Sequence, residues 1–135
     1  MKRRPNICLL NYGAGNITSI FNAIKFLGYK SKVSNDPEDI NNATHLILPG
    51  VGSFPYAVKQ LHNSNLFDKL KSESKKGKPV IGICLGFQIL FSEGEEFKKT
   101  NGLDLVKGTL KVLPSKKIFT IPHVGWSQLI IANKQ

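Results

Sequence analysis

The sequence predicts an α/β protein built on a doubly wound, mostly parallel sheet. Short apolar runs of strand length alternate with segments whose apolar residues recur every three or four positions, and glycine or proline stands at the junctions. Strands that alternate with helices in this way pair in parallel through right-handed crossovers.

The first run is Ile7-Cys8-Leu9-Leu10, followed by Gly13 and Gly15. From Asn16 onward Ile17, Ile20, Phe21, Ile24 and Leu27 keep helical spacing, and Gly28 ends the helix. Lys30 to Val33 forms a second strand before the turn-like Asn35-Asp36-Pro37. His45 to Leu48 is a third, buried strand stopped by Pro49-Gly50-Val51-Gly52. Ala57, Val58 and Leu61 then mark one helix face, and Leu66, Phe67 and Leu70 another. After the break at Gly77-Lys78-Pro79, Val80 to Ile83 is a fourth strand that enters the helical pattern Leu85, Ile89, Leu90 at Cys84. Beyond Gly94, the runs Leu103 to Val106 and Leu110 to Leu113 suit a β-ribbon, and a further strand precedes Ile130-Ile131-Ala132-Asn133-Lys134-Gln135. With no closing helix after it, residues 1–135 read as a single, partial domain, incomplete at the C-terminus and prone to aggregate.

A chain of 135 residues that is 41% hydrophobic and 9% aromatic falls within the range of one folded domain. The two cysteines, Cys8 and Cys84, lie far apart and outside any CxxC or Cys/His ligand spacing. That pattern supports neither a disulfide framework nor a metal site, and it fits a reducing, cytoplasmic setting. No apolar run approaches a membrane span, and the basic Met1 to Arg4 lacks a signal-peptide core. The net charge of +10 arises from 19 Lys+Arg against 9 Asp+Glu, which would attract acidic partners. The lysines are scattered, no aromatic-basic reading module accompanies them, and the dense stretch Lys69 to Lys78 reads as the solvated end of a helix, so no nucleic acid is expected.

The chemical signal is Gly82-Ile83-Cys84-Leu85-Gly86. It is a thiol version of the GxSxG nucleophile elbow, placed between a strand and a helix as that motif requires. The turn is sharp enough to need glycine two positions to either side of the nucleophile. Exposed N–H groups at the following helix start favour a thiolate, which is the attacking species. The plainer reading is a small buried residue after an apolar strand. Acyl transfer also needs donors for a developing oxyanion. The elbow supplies the Leu85 N–H, and Pro49-Gly50-Val51-Gly52, leaving a neighbouring parallel strand at the same sheet edge, is placed to supply a second. The plainer reading of that segment is an ordinary strand-ending turn.

With PGVGSF at 49–54 and GICLGFQ at 82–88, the chain resembles the class I, triad-type glutamine amidotransferases. YGAGN at 12–16 and IPHVGW at 121–126 narrow the resemblance to the glutaminase subunit of imidazole glycerol phosphate synthase. The resemblance implies that L-glutamine is hydrolysed to glutamate and ammonia, and that the ammonia is channelled to a cyclase subunit making imidazole glycerol phosphate and AICAR in histidine biosynthesis. By position, Cys84 is the nucleophile, Val51, Leu85 and Gly50 belong to the oxyanion hole, and Gly52 and Gln88 serve the substrate. Gly50 and Gly52 permit a rearrangement of that strand, and Asn16, His123 and Trp126 lie toward the cyclase in a heterodimer. No metal or organic cofactor is implied.

The sequence departs from the family pattern at Phe87, where Met is common, and at Ser127, where Asn is common. More consequentially, the family's base and its orienting carboxylate form a His-x-Glu pair, and none of His45, His62 or His123 has Glu two residues on. These 135 residues alone are therefore expected to be a poor glutaminase. Two further readings share the motifs. One is an amidotransferase supplying ammonia for a surface-polysaccharide sugar, to which SEGEEFKKTNGLDL at 92–105 is similar. The other is an inactive partner-binding remnant.

Overall fold

Four parallel strands form the central sheet in the order β2-β1-β3-β4: β1 (Asn6–Leu10), β2 (Lys30–Ser34), β3 (His45–Leu48) and β4 (Val80–Gly82). The computed structural model describes residues 4–114, 125–128 and 130–131. Helix α1 (Ile17–Phe26) returns the chain from β1 to β2, and α2 (Pro37–Asn42) leads from β2 to β3. Helices α3 (Phe54–Asn63) and α4 (Leu66–Lys75) join β3 to β4, and α5 (Leu85–Ile89) follows β4 after one strand-to-helix turn.

Alternation of side chains along the strands divides the core in two. On one face Leu9 and Ile47 pack with Ile24 of α1, flanked by Ile7, Ile17, Ile20, Phe21 and Val33. On the other, Cys8, Leu10, Leu46 and Leu48 pack against Ile40 of α2, Ala57, Val58 and Leu61 of α3, Leu70 of α4 and Ile89 of α5. Each fully buried leucine contributes about 2 kcal/mol of transfer free energy. The α/β class and the parallel sheet agree with the sequence reading. Among the described residues the distribution of helices is lopsided, with α1 alone on one face. Edge strand β4 consequently leaves Ile81 49% exposed on the α1 side, beside Ile47.

A second, smaller sheet has the order β6-β5-β7: β5 (Phe91–Gly94), β6 (Thr100–Asn101) and β7 (Val106–Leu110). A ribbon here was expected, but its strands are displaced from the apolar runs. Leu103 is fully buried yet lies outside any strand, its N–H donating to the Ile89 carbonyl at 2.8 Å. The helix expected to run through Leu90 stops at Ile89, because Leu105 and Val106 both donate to the Leu90 carbonyl and draw the chain into β5. Gly125 to Gln128 are exposed and form no strand.

Two further differences have local causes. The segment read as a turn at Asn35-Asp36-Pro37 starts helix α2, since Asp36 accepts from the Glu38 N–H at 2.7 Å and Pro37 occupies the first turn. The lysines between 69 and 78, read as solvated, are so only in part. Lys69, Lys76 and Lys78 converge on Glu73, which is 3% exposed, at 3.2, 2.8 and 2.8 Å. Lys78 Nζ also donates to the Ile40 and Asn41 carbonyls, closing the end of α2.

Candidate active site

The β3–β4 register pairs Leu48 with Gly82, so the segments that follow the two strands leave the sheet side by side at its carboxyl edge. Ile83 continues the pairing by donating to the Leu48 carbonyl at 2.9 Å. The chain then reverses at Cys84, whose φ of 55° and ψ of −120° lie in a region that side-chain-bearing residues rarely occupy. Phe87 and Gln88 donate back to the Cys84 carbonyl, and this closes the first turn of α5.

The flanking glycines are needed for space. A Cβ on Gly86 would overlap the Leu48 carbonyl oxygen and stand 2.8 Å from the Leu48 carbonyl carbon. A Cβ on Gly82 would strike the Phe87 backbone and stand 2.7 Å from the Gly86 oxygen. The elbow is thus jammed against β3 and its own helix, and it presents the Cys84 side chain to solvent. The second thiol is unlike it. Cys8 is buried in the sheet, where desolvation first, then the Asp39 charge, pushes it up to about 11. The neighbouring Lys32 and Lys78 charges only partly oppose that rise.

Cys84 opens into a cleft of about 370 Å³. Val51, Gly52, Leu85 and Gln88 line the same cleft, so the structure brings together five of the residues singled out in the sequence. Gly50 is buried beneath it, with so little space that a Cβ would meet the Leu85 carbonyl carbon and Cβ at 2.8 Å. Asn16 is outside the cleft, exposed at the start of α1 with no side-chain capping bond. Trp126 is fully exposed, and His123 lies outside the described residues.

The two expected oxyanion donors differ in state. No described group accepts from the Leu85 N–H at the start of α5. The Val51 N–H instead donates to the Ala14 carbonyl at 2.9 Å, so in this conformation it is not directed at Cys84. The loop at 12–16 therefore packs directly on the Pro49–Gly52 segment, and the Tyr12 hydroxyl donates to the Pro49 carbonyl at 2.6 Å.

The opposite wall comes from the smaller sheet and was not foreseen. Glu95 and Glu96 follow β5, Leu110 ends β7, and Lys111 and Val112 follow it. Glu96 Oε2 accepts from the Phe54 N–H at 2.7 Å, and a Cβ on Gly94 would touch the Phe54 ring at 3.0 Å, so the ribbon is stapled to the start of α3. The available signal was an acidic doublet directly after a glycine-ended strand.

Neither described histidine reaches the thiol. His45 begins β3 at the amino edge of the sheet and its Nδ1 lies 2.9 Å from the Thr44 hydroxyl, about 10 Å of strand away from the carboxyl edge. His62 stacks on Phe67 near the far end of α3, roughly 12 Å along that helix from the cleft. Among the described residues no group of three or more His, Cys, Asp or Glu could hold a metal ion. No helix there is long and apolar enough to cross a membrane.

Residues 9–122 match the CobB/CobQ-like glutamine amidotransferase domain family. The chain is 44% identical over 125 residues to an imidazole glycerol phosphate synthase subunit HisH from Caldanaerobacter subterraneus subsp. tengcongensis, covering 93% of this chain and 61% of that protein. It is 46% identical over 124 residues to the subunit of the same name from Prochlorococcus marinus, covering 92% of this chain and 58% of that one. It therefore spans about three fifths of the length of these curated relatives. A solved structure titled as a glutamine amidotransferase superposes with a TM-score of 0.65 over 76% of this chain and 54% of that one, at 21% identity, which supports the fold. A cysteine elbow, its adjoining glycine loop and this match over most of the sequence agree: the chain belongs to the CobB/CobQ-like glutamine amidotransferase domain family.

Proposed function

We propose that Cys84 hydrolyses L-glutamine to glutamate and ammonia, and that the ammonia passes to a cyclase partner that forms imidazole glycerol phosphate in cytoplasmic histidine biosynthesis. The observation that carries the chemistry is the strained, solvent-facing Cys84 at a strand-to-helix turn, opening into a cleft walled by Val51, Gly52, Leu85 and Gln88. The names of the relatives from C. subterraneus and P. marinus support the pathway.

In this reading the Cys84 thiolate attacks the side-chain carboxamide carbon and the carbonyl oxygen becomes an oxyanion. The Leu85 N–H stabilises it at once. The Val51 N–H joins after the Gly50–Val51 peptide turns away from Ala14, a movement that the lack of a Cβ at Gly50 makes accessible. Collapse expels ammonia and leaves a thioester, which water hydrolyses. The base for these proton transfers comes from outside the described cleft residues, as neither His45 nor His62 lines the cleft. Glutamine's ammonium and carboxylate require a wall of both charge signs, and Glu95, Glu96 and Lys111 supply one. Gln88 and Gly52 hold the carboxamide end. Asn16 and Trp126, both exposed, are assigned with His123 to the cyclase side.

The test is ammonia release by the intact protein, with and without the cyclase subunit. Release that the cyclase stimulates and Cys84→Ala abolishes supports the proposal. Absence of release under both conditions would leave a binding role.

A further inference from the structure

We propose that Tyr12 is a positioning residue for this site: its hydroxyl pins the Pro49 carbonyl and so fixes the pivot about which the Gly50–Val51 peptide turns its N–H toward the cleft. The inference rests on the glutaminase reading and adds a residue to it.

Loop 12–16 meets Pro49–Val51 through Tyr12, Ala14 and Gly15. The Ala14–Val51 hydrogen bond must break if Val51 is to serve an oxyanion. Gly15 abuts the proline ring, where a Cβ would stand 2.7 Å from Pro49 Cγ, and this contact lacks direction. The Tyr12–Pro49 bond, 2.6 Å long and buried, is directional and lies on the Pro49–Gly50 peptide, the one that does not turn. A phenylalanine would fill the same volume, so the hydroxyl has this bond as its specific contribution. Burial pushes the phenol far above its ordinary value, so it remains a donor at any pH of use.

The bond matters because of what lies one residue on. Gly50 is wedged against Leu85 and Gly86 of the elbow with no spare room. A Pro49 free to drift carries Gly50 away from that wedge and misdirects the Val51 N–H. Loss of one oxyanion donor typically lowers turnover by about 100-fold or more, and a misaligned donor loses part of that. Most of the contacts assigned to glutamine, to Gln88, Glu95, Glu96 and Lys111, lie on other walls of the cleft, so binding changes less than turnover.

The experiment compares wild type, Tyr12→Phe and Gly15→Ala in the intact protein with its cyclase partner. Gly15→Ala pushes on the Pro49 ring and leaves its carbonyl bond intact, so it tests the same pivot by a second route. The readouts are kcat and KM for glutamine, and the rate at which iodoacetamide alkylates Cys84 by displacement, a reaction that needs no oxyanion hole. The expected result is a kcat lowered about 10- to 100-fold in each variant. KM and alkylation rate are expected to stay within roughly threefold, in keeping with removal of a transition-state interaction alone. A lower melting temperature with unchanged kcat makes Tyr12 purely structural and overturns the proposal. So does alkylation that falls in step with kcat, which means the elbow itself has collapsed. A wild-type protein without Cys84-dependent ammonia release removes the glutaminase reading, and the proposal with it.

Discussion

At Cys84 the backbone adopts φ 55° and ψ −120°, a conformation that glycine takes readily and cysteine does not. Such a residue stores about 1–3 kcal/mol, so Cys84→Gly is expected to raise stability in urea by roughly 1 kcal/mol net of glycine's chain entropy, while ending catalysis. An unchanged or lower unfolding midpoint would contradict stored strain. Gly86→Ala is expected to do the reverse, costing about 3 kcal/mol or more because the new methyl overlaps the Leu48 carbonyl. The elbow was legible in sequence because backbone crowding leaves only glycine at 82 and 86, and that demand is local. Tyr12 and Glu96 were not legible, since their roles arise from Pro49 and Phe54, 37 and 42 residues away. Glu96→Gln, which keeps the shape but removes the charge, is expected to raise KM for glutamine about tenfold with little change in kcat. Equal KM values would remove Glu96 from substrate recognition.

Helix α4 illustrates the same limit for whole elements. Its apolar face at Leu66, Phe67 and Leu70 followed from spacing, but the role of its lysines did not. Lys76 and Lys78, followed by Lys69, hold Glu73 down to about 2 from an ordinary 4.5. A carboxylate with a depressed folded-state value contributes its stability above the unfolded value, and the contribution fades as pH falls between 4.5 and about 2. Glu73→Gln is therefore expected to destabilise by about 1–2 kcal/mol at neutral pH, a modest figure because Lys76 remains well solvated. The gap from wild type should close in melts run toward pH 2; a gap independent of pH would refer the loss to packing. Helix α2 was missed although Asp36 and Pro37 form a complete start signal, because six residues offer too little apolar periodicity to register.

At the scale of the molecule, the parallel pairing follows from alternating strands and helices, whereas the displacement of the small sheet depends on tertiary bonds such as those to the Ile89 and Leu90 carbonyls. Among the described residues one helix, α1, covers one face of the central sheet, and Ile81 and Ile83 are exposed along the β4 edge. Ile81→Lys is expected to reduce concentration-dependent light scattering of the 135-residue chain severalfold, as a charge on an open apolar edge opposes strand-to-strand association. Undiminished scattering would point to another surface. The cleft lies where the two sheets meet, with the thiol rooted in the first and the charged wall in the second. The nucleophile and the charged part of recognition thus sit on different sheets, which are tied together through the Ile89 and Leu90 carbonyls and through Phe54. Lineages could exchange the ribbon to alter the charged wall that meets the amino acid while inheriting the nucleophile, and a chimera swapping residues 91–112 would do so as long as the donors to the Ile89 and Leu90 carbonyls are kept.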